Sequence, residues 1–467
     1  MEVQRQPSYE KEQQESKKSS NKKSSFYASV WRWHFYAGII FAPFLIILAF
    51  SGGVYLFKPQ IESFIYHDLY YIEDVGDNVL LSSELVNTVK ADYPDGSVRS
   101  MTFFDDPERT AEISVETESE MKSVFIDPYT GKILGSMNSE KTITEMFKKL
   151  HSELIVGGTV ANRIVELAAC WAVILLASGL YVWWPRNKAS IWGTFLPRIR
   201  SNGRTFWRDI HAVPAFWLSL LILILIMTGL PWSGIMGEQI NRLATSTHTG
   251  YPAFAFSPED LESDVKAKDV AVDVPWAAKN VPVPESKRNE SGMLAIDYPQ
   301  QITDNRNIEK PYTISMPQGE TGVYTISAFH DQPWKDAVMH VDQYSGEVLS
   351  DVRYDDYGIL AKAISLGISI HEGKLFGLAN QIIGLIVCIG LIGIVLSSFL
   401  MRRKRKPTGT SGAPKKPKDK KITRTVFCIM IVLGVLMPLV GVSIIIVFLI
   451  DKLVVQRIPK LKNWIGA

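Results

Sequence analysis

Five stretches of this chain, residues about 36–57, 164–184, 210–235, 378–401 and 426–450, each approach the ~20 apolar residues that a hydrocarbon core of ~30 Å requires. Inside lipid a backbone must satisfy its own hydrogen bonds, so these stretches are predicted to be membrane helices. With 21% charged residues over 467 positions, the chain carries too much polar sequence to be embedded throughout. The first stretch has the basic flank and small residues (Ser51–Gly53) of a secretory signal, but it is long for one and four more follow. It reads as an uncleaved helix. Residues 1–27 are polar, cationic near Lys17–Lys23 and poor in aromatics, the composition of a disordered cytoplasmic tail.

Lys and Arg in short loops are retained on the cytoplasmic side. The N-terminal lysines, "WWPRNK" with "RIRSNGR" (183–188 and 198–204), and "MRRKRK" with "KKPKDKK" (401–406 and 415–421) all fall inside if the first helix exits outward. The C-terminal "DKLVVQRIPKLKNW" then lies outside despite its positive charge. A re-entrant fifth segment turning near Pro438 is the alternative to that outside placement. The expected order is a tail (1–27), helix 1 (28–57), an outer domain (58–150) and helix 2 with an outer histidine segment (151–185). A cytoplasmic loop (186–206), helix 3 (207–235), a second outer domain (236–365) and helix 4 with its histidine segment (366–401) follow. A basic loop (402–423) and a fifth helix with tail (424–467) end it. Cys170, Cys388 and Cys428 all fall in predicted helices without metal-binding spacing and read as apolar fillers.

The chain is duplicated. In the first outer segment "MTFFDD", "AEISVE" and "KSVFIDPYTGKILG" are strand-like, and in the second "YTISMP", "GVYTISAF" and "AVMHVDQYSGEVLS" repeat that order. Superposing "VFIDPYTGKILG" on "MHVDQYSGEVLS" places Asp127 on Asp342, Tyr129 on Tyr344 and Gly131 on Gly346, the residue types of a hairpin turn set by an Asx side chain and a glycine. His34 precedes Ser51–Gly52 by the same 17 residues that separate His211 from Thr228–Gly229. "VANRIVELAACW" and "LANQIIGLIVCI" share Asn162 with Asn380, and Cys170 with Cys388 eight residues later. The predicted fold class is a membrane α-helical bundle of four core helices in two repeats plus a fifth, with two extracytoplasmic α+β domains.

Of eight histidines, four belong to the repeated helices. His34 and His211 fall at the cytoplasmic ends of the first and third helices, and His151 and His371 at the outer ends of the second and fourth. The bland reading of any one is an interfacial side chain solvated by headgroups or bonded to a carbonyl. Duplication alone would also keep a packing residue at equivalent places. Two imidazoles converging from facing helices at each end would suit the axial positions of a haem iron, with apolar walls around the macrocycle. Zinc or copper would need a third or fourth ligand that no nearby cysteine or shared carboxylate supplies. Arg32 and Arg208 are candidates for haem propionates and equally for positive-inside anchors. The aromatics near the cytoplasmic boundary read as an interfacial belt, and Glu166, inside the second helix, as the acceptor of an internal hydrogen bond. His67, His248, His330 and His340 read as surface or local contacts, with His330 or His340 as possible substrate contacts. Asp105, Asp106 and Glu108 read as a solvated loop.

The helix–outer-domain–helix unit, the entry at Arg208–His211, the hairpins "IDPYTGKILG" and "VDQYSGEVLS", and the histidines in "LHSEL" and "IHEG" together resemble the PepSY-associated transmembrane proteins over about residues 28–405. That resemblance makes the outer modules PepSY-like. It implies two b-type haems with bis-histidine ligation by His34, His211, His151 and His371, haem iron being the metal expected at these positions. It also implies a bacterial cytoplasmic membrane and an activity like that of ferric-siderophore reductases. No nucleotide fingerprint follows a predicted strand on the cytoplasmic side, so the electron donor is expected to be a separate protein, a quinol or a diffusible reductant. Membrane lipid is the other expected partner and nucleic acid is not one. The rival expectation is a non-enzymatic anchored protein whose outer modules bind peptide or regulate a peptidase. A transporter is disfavoured because Glu166 is nearly the sole charge within the spans.

Overall fold

The computed structural model describes residues 7–185, 190–251, 265–270, 283–287, 292–405, 411–414 and 420–465. Parts of the basic stretches used to orient the chain, 186–188, 406 and 415–419, lie outside the described residues. Helix α1 (Pro7–Tyr55) leads into two short helices, α2 (Lys58–Ile65) and α3 (His67–Tyr70), and then α4 (Ser82–Asp92). Four strands follow, β1 (Ser97–Phe103), β2 (Ala111–Glu116), β3 (Met121–Ile126) and β4 (Ile133–Met137). Next come α5 (Ile143–Glu153), α6 (Gly158–Trp183), α7 (Gly203–Gly229), α8 (Ile235–Ser246), α9 (Ala267–Val270) and α10 (Asp297–Asn305). The second set of strands is β5 (Tyr312–Ser315), β6 (Val323–Ala328), β7 (Ala337–Asp342) and β8 (Val348–Arg353). The chain ends with α11 (Ile359–His371), α12 (Leu378–Arg405), α13 (Lys420–Leu436), α14 (Pro438–Leu453) and α15 (Pro459–Ile465). Among the described residues five helical segments are long and apolar enough to cross a membrane: 26–55, 158–183, 203–232, 378–404 and 438–457.

The chain divides into a helical unit (1–53, 150–236 and 385–467) and a sheet unit (54–149 and 237–384). In the helical unit, Ala42, Leu45, Ala172 and Val395 form one buried cluster with Leu391 and Ile226. Ile222, Val387 and Ile394 form a second with Leu218 and Leu176, so α1, α6, α7 and α12 share a core. Helix α1 begins at Pro7, within the polar segment 1–27. One sequence expectation changes here. The fifth segment is not one straight span, because α13 and α14 fold back on each other at Met437–Pro438. A Cβ added to Gly434 would lie 2.8 Å from the Gly441 Cα, an approach that a continuous helix does not allow seven residues apart. Tyr36 Oη donates to the Ile465 carbonyl at 2.6 Å and Ser411 N to the Trp464 carbonyl at 2.7 Å. Helix α15 therefore lies at the same end of the bundle as Arg32. The positive tail that conflicted with the other basic flanks now agrees with them.

In the sheet unit the two strand sets form one antiparallel sheet, in the order β4-β3-β2-β1-β5-β6-β7-β8. The expectation of two outer domains is corrected: β1 pairs with β5 through Ser100↔Ser315, Met101↔Ile314 and Thr102↔Thr313. One core holds Ile113 and Val124 of the first module together with Ile326 and Met339 of the second, covered by Leu85 and Val89 of α4. Each hairpin turn is set by its aspartate as read: Asp127 Oδ1 accepts from the backbone N of Tyr129 and Thr130, and Asp342 Oδ1 from Tyr344 and Ser345. Gly131 and Gly346 sit at φ +69° and +72°, where glycine costs least.

Candidate functional site

His34 is half-buried on the interior side of α1, and its Nδ1 lies 2.9 Å from Ser178 Oγ. The Ser178 hydroxyl proton is committed to the Leu175 carbonyl, so Oγ accepts and His34 carries its proton on Nδ1. Small residues make this contact possible: a Cβ at Gly179 would lie 3.1 Å from His34 Cε1. His211 Nδ1 lies 2.8 Å from the Ile394 carbonyl, which only accepts, so its proton is also on Nδ1. His34 and His211 are close enough to interact electrostatically.

The same construction recurs at the other end of α1. His151 Nδ1 lies 3.0 Å from the Leu48 carbonyl and 3.2 Å from Ser51 Oγ, whose own proton goes to the Ile47 carbonyl. The ring rests on Gly52, where a Cβ would stand 3.0 Å from Cε1. His34 and Ser51 are separated by about 26 Å along α1 at 1.5 Å per residue. His151 belongs to the helical unit and His371 closes α11 in the sheet unit. In three of the four histidines, then, a protein acceptor holds Nδ1. Metal-bound imidazoles are held in this way. At His34 and His211 an Nδ1 held in this way leaves Nε2 as the ring nitrogen through which a haem iron would be taken.

The small residues and hydroxyls at these contacts, Ser51, Gly52, Ser178 and Gly179, were not read as site residues. Their signal in the sequence is small or hydroxylated side chains within otherwise bulky helices, spaced to face a histidine. Asp209 was also missed. It is 1% exposed and receives Arg198 Nε at 2.7 Å, Arg198 Nη2 at 3.0 Å and Arg208 Nη2 at 2.7 Å. Arg32 Nη1 donates to the Pro414 carbonyl at 2.8 Å, and its guanidinium lies 5.2 Å from the Tyr36 ring centre. Both candidate propionate arginines thus have protein partners.

Glu166, 1% exposed, accepts from the backbone N of Ile235 at 3.0 Å and of Met236 at 2.8 Å, capping the start of α8, as its internal hydrogen-bond reading expected. His340 is 2% exposed within the sheet and bonded to Thr325 Oγ1 at 3.0 Å, which removes it as a substrate contact. His330 donates its backbone N–H to Asp336 Oδ1, and its Nε2 is buried without a partner. His67 and His248 are exposed, as are Asp105, Asp106 and Glu108.

Two fused repeats of membrane helix, strands and membrane helix, with imidazoles set at helix ends, define a multi-pass membrane protein with soluble-type α+β modules. Residues 31–405 match the family described as PepSY-associated TM region, and the chain belongs to that family. No curated protein matches it. The match stops before α13, so the helical hairpin and α15 are additions outside the family region.

Proposed function

We propose that the protein is a di-haem oxidoreductase that passes electrons across a bacterial cytoplasmic membrane, N-terminus inside, to an extracytoplasmic acceptor, ferric iron in a siderophore. The observation that supports this is the shared construction of His34, His211 and His151, each with its Nδ1 held by a protein acceptor. His34 and His211 would hold one haem b, and His151 and His371 a second. Bound haem would supply one-electron chemistry at each level, while the protein sets its potential through ligand orientation and burial. The chain's own tasks are to fix the rings of His34, His211 and His151 by their Nδ1 acceptors and to keep water from the bundle core with Ile222, Val387 and Ile394. Reduction of the iron weakens its hold on hard oxygen ligands, which releases it for uptake.

The test is haem stoichiometry by pyridine haemochrome on protein purified from haem-replete cells. Wild type should be red with two haems per chain. His34→Ala and His211→Ala should each lose the inner haem, and His151→Ala and His371→Ala the outer, leaving roughly half. A colourless wild type would support the peptide-binding alternative instead.

A further inference from the structure

The segment between α6 and α7 was expected to be a cytoplasmic loop, and its described part is apolar and ordered. Ile191, Trp192, Phe195, Leu196 and Ile199 are exposed to between 40% and 68%. The loop is fastened at two points. Arg198 is bound to buried Asp209, and Trp217 Nε1 donates to the Phe195 carbonyl at 2.9 Å. Fixing five apolar side chains outward costs solvation energy in water and none in lipid, so this loop lies within the leaflet beside α6 and α7.

Behind that rim is an aromatic nest. Trp183 stacks on Phe216 with ring centres 4.3 Å apart, and Phe195 stands edge-on to both, at 6.1 Å and 5.6 Å. A belt tryptophan turns its indole N–H to headgroups or water. Trp183 does the opposite: its Nε1 is buried and has no acceptor. A buried donor of this kind is missing a partner. Trp183 follows Gly179, the seat of the His34 ring, by one helical turn, and Phe216 follows His211 by five residues, so the nest adjoins the inner imidazole couple.

We propose that this nest is a docking site for a lipid-soluble quinol, entered from the membrane past Trp184, Trp192 and Ile199, with Trp183 Nε1 donating to one ring oxygen. The chemistry matches in three respects: a planar ring for the aromatic walls, an oxygen acceptor for the orphan donor and an apolar tail for the lipid-facing rim. The proposal rests on the electron-conduit reading and names its donor. The quinol gives up two electrons, one at a time, to the inner haem, and two protons to water on the cytoplasmic side, leaving the quinone.

Two measurements on full-length protein in lipid nanodiscs test it separately from haem binding. Decylubiquinone should quench tryptophan fluorescence saturably in wild type, and Trp183→Phe, which keeps the ring but lacks the N–H, should weaken binding about tenfold. Decylubiquinol should reduce the haem absorbance in wild type, with a KM raised about tenfold in Trp183→Phe, while haem content and the dithionite-reduced spectrum stay unchanged. Phe195→Ala, which opens one wall at an exposed position, should weaken binding in the same direction. Equal quinone affinity in wild type and Trp183→Phe overturns the proposal. So does haem loss in Trp183→Phe, because the indole would then serve a propionate. Saturable quinone binding to a colourless protein would sustain the site and sink the haem reading.

Discussion

The two repeats agree in their scaffold and differ in the placement of their chemistry. In the first, Asn162 Nδ2 donates to the Ser152 carbonyl at 3.4 Å, and in the second Asn380 Nδ2 donates to the Ile370 carbonyl at 3.0 Å, each bond reaching ten residues back. Ser51 and Thr228 each bond the carbonyl four residues earlier, at 2.7 Å in both. In the register that superposes Asn162 on Asn380, the left-handed residue Ile155 (φ +66°) falls on Gly373 (φ +75°), and the last residue of α5 on the last of α11. Yet His151 falls on Ser369, and His371 on Glu153. A packing residue copied by duplication would keep its register. These two histidines are displaced by two residues in opposite senses, so inherited packing does not account for them.

The largest expected effect comes from forcing the first repeat into the register of the second. His151→Ser with Glu153→His puts imidazole where α11 carries it, and one of the two proposed haems should be lost, measured by pyridine haemochrome. Full haem content would show that either register serves and would dissolve the contrast. A smaller disturbance at the same place is Gly52→Ala, whose Cβ would stand 3.0 Å from His151 Cε1 and must displace the ring. It should shift the Soret maximum or lower occupancy at that level and leave the His34 level unchanged.

The two strand modules differ in the same way. Superposing Asp127 on Asp342 sets Met121 opposite Asp336, so only the second module has a carboxyl there. Burial pushes Asp336 up to about 7. The folded state then holds the proton more tightly than the unfolded chain. That stabilisation is complete below about pH 4 and is lost as pH rises through about 7, by roughly tenfold in the unfolding constant per pH unit. Asp336→Asn should therefore flatten this part of the pH dependence and resist denaturant better than wild type at pH 7.5, gaining about 2–4 kcal/mol. Urea unfolding followed by near-ultraviolet circular dichroism at pH 5 and 7.5 reads the difference. An unchanged slope would mean that Asp336 ionises freely in the fold.

The membrane segments, the duplication and both Asx turns were legible because they depend on local composition or on residues a few places apart. The four histidines stand out in the sequence because they recur at helix ends in both repeats. The join between modules was not, since β1 and β5 pair across some two hundred residues and their edges carry ordinary serines and threonines. The hairpin at Met437–Pro438 was only half legible. Proline marks a break, but a kinked span and a reversal share that signal, and the decisive contact is between the backbones of Gly434 and Gly441. Asp209 was hidden because its partner Arg198 is eleven residues away across a loop.

The smallest expected effect concerns the part of the scaffold that the repeats share. If the two asparagines are equivalent registers, Asn162→Ala and Asn380→Ala should each cost about 1 kcal/mol, the net worth of one hydrogen bond. Their difference should be small, because each removes a single side-chain bond to a helix-terminal carbonyl. Asn380 is the more buried at 8% exposed, and its Oδ1 has no partner, so truncation there relieves an unsatisfied acceptor while losing the donor. That offset should keep Asn380→Ala from being the costlier of the two despite its burial. Thermal unfolding of both variants in one detergent decides it: a loss at Asn380 several times that at Asn162 would mean that the second repeat relies on its asparagine for more than register.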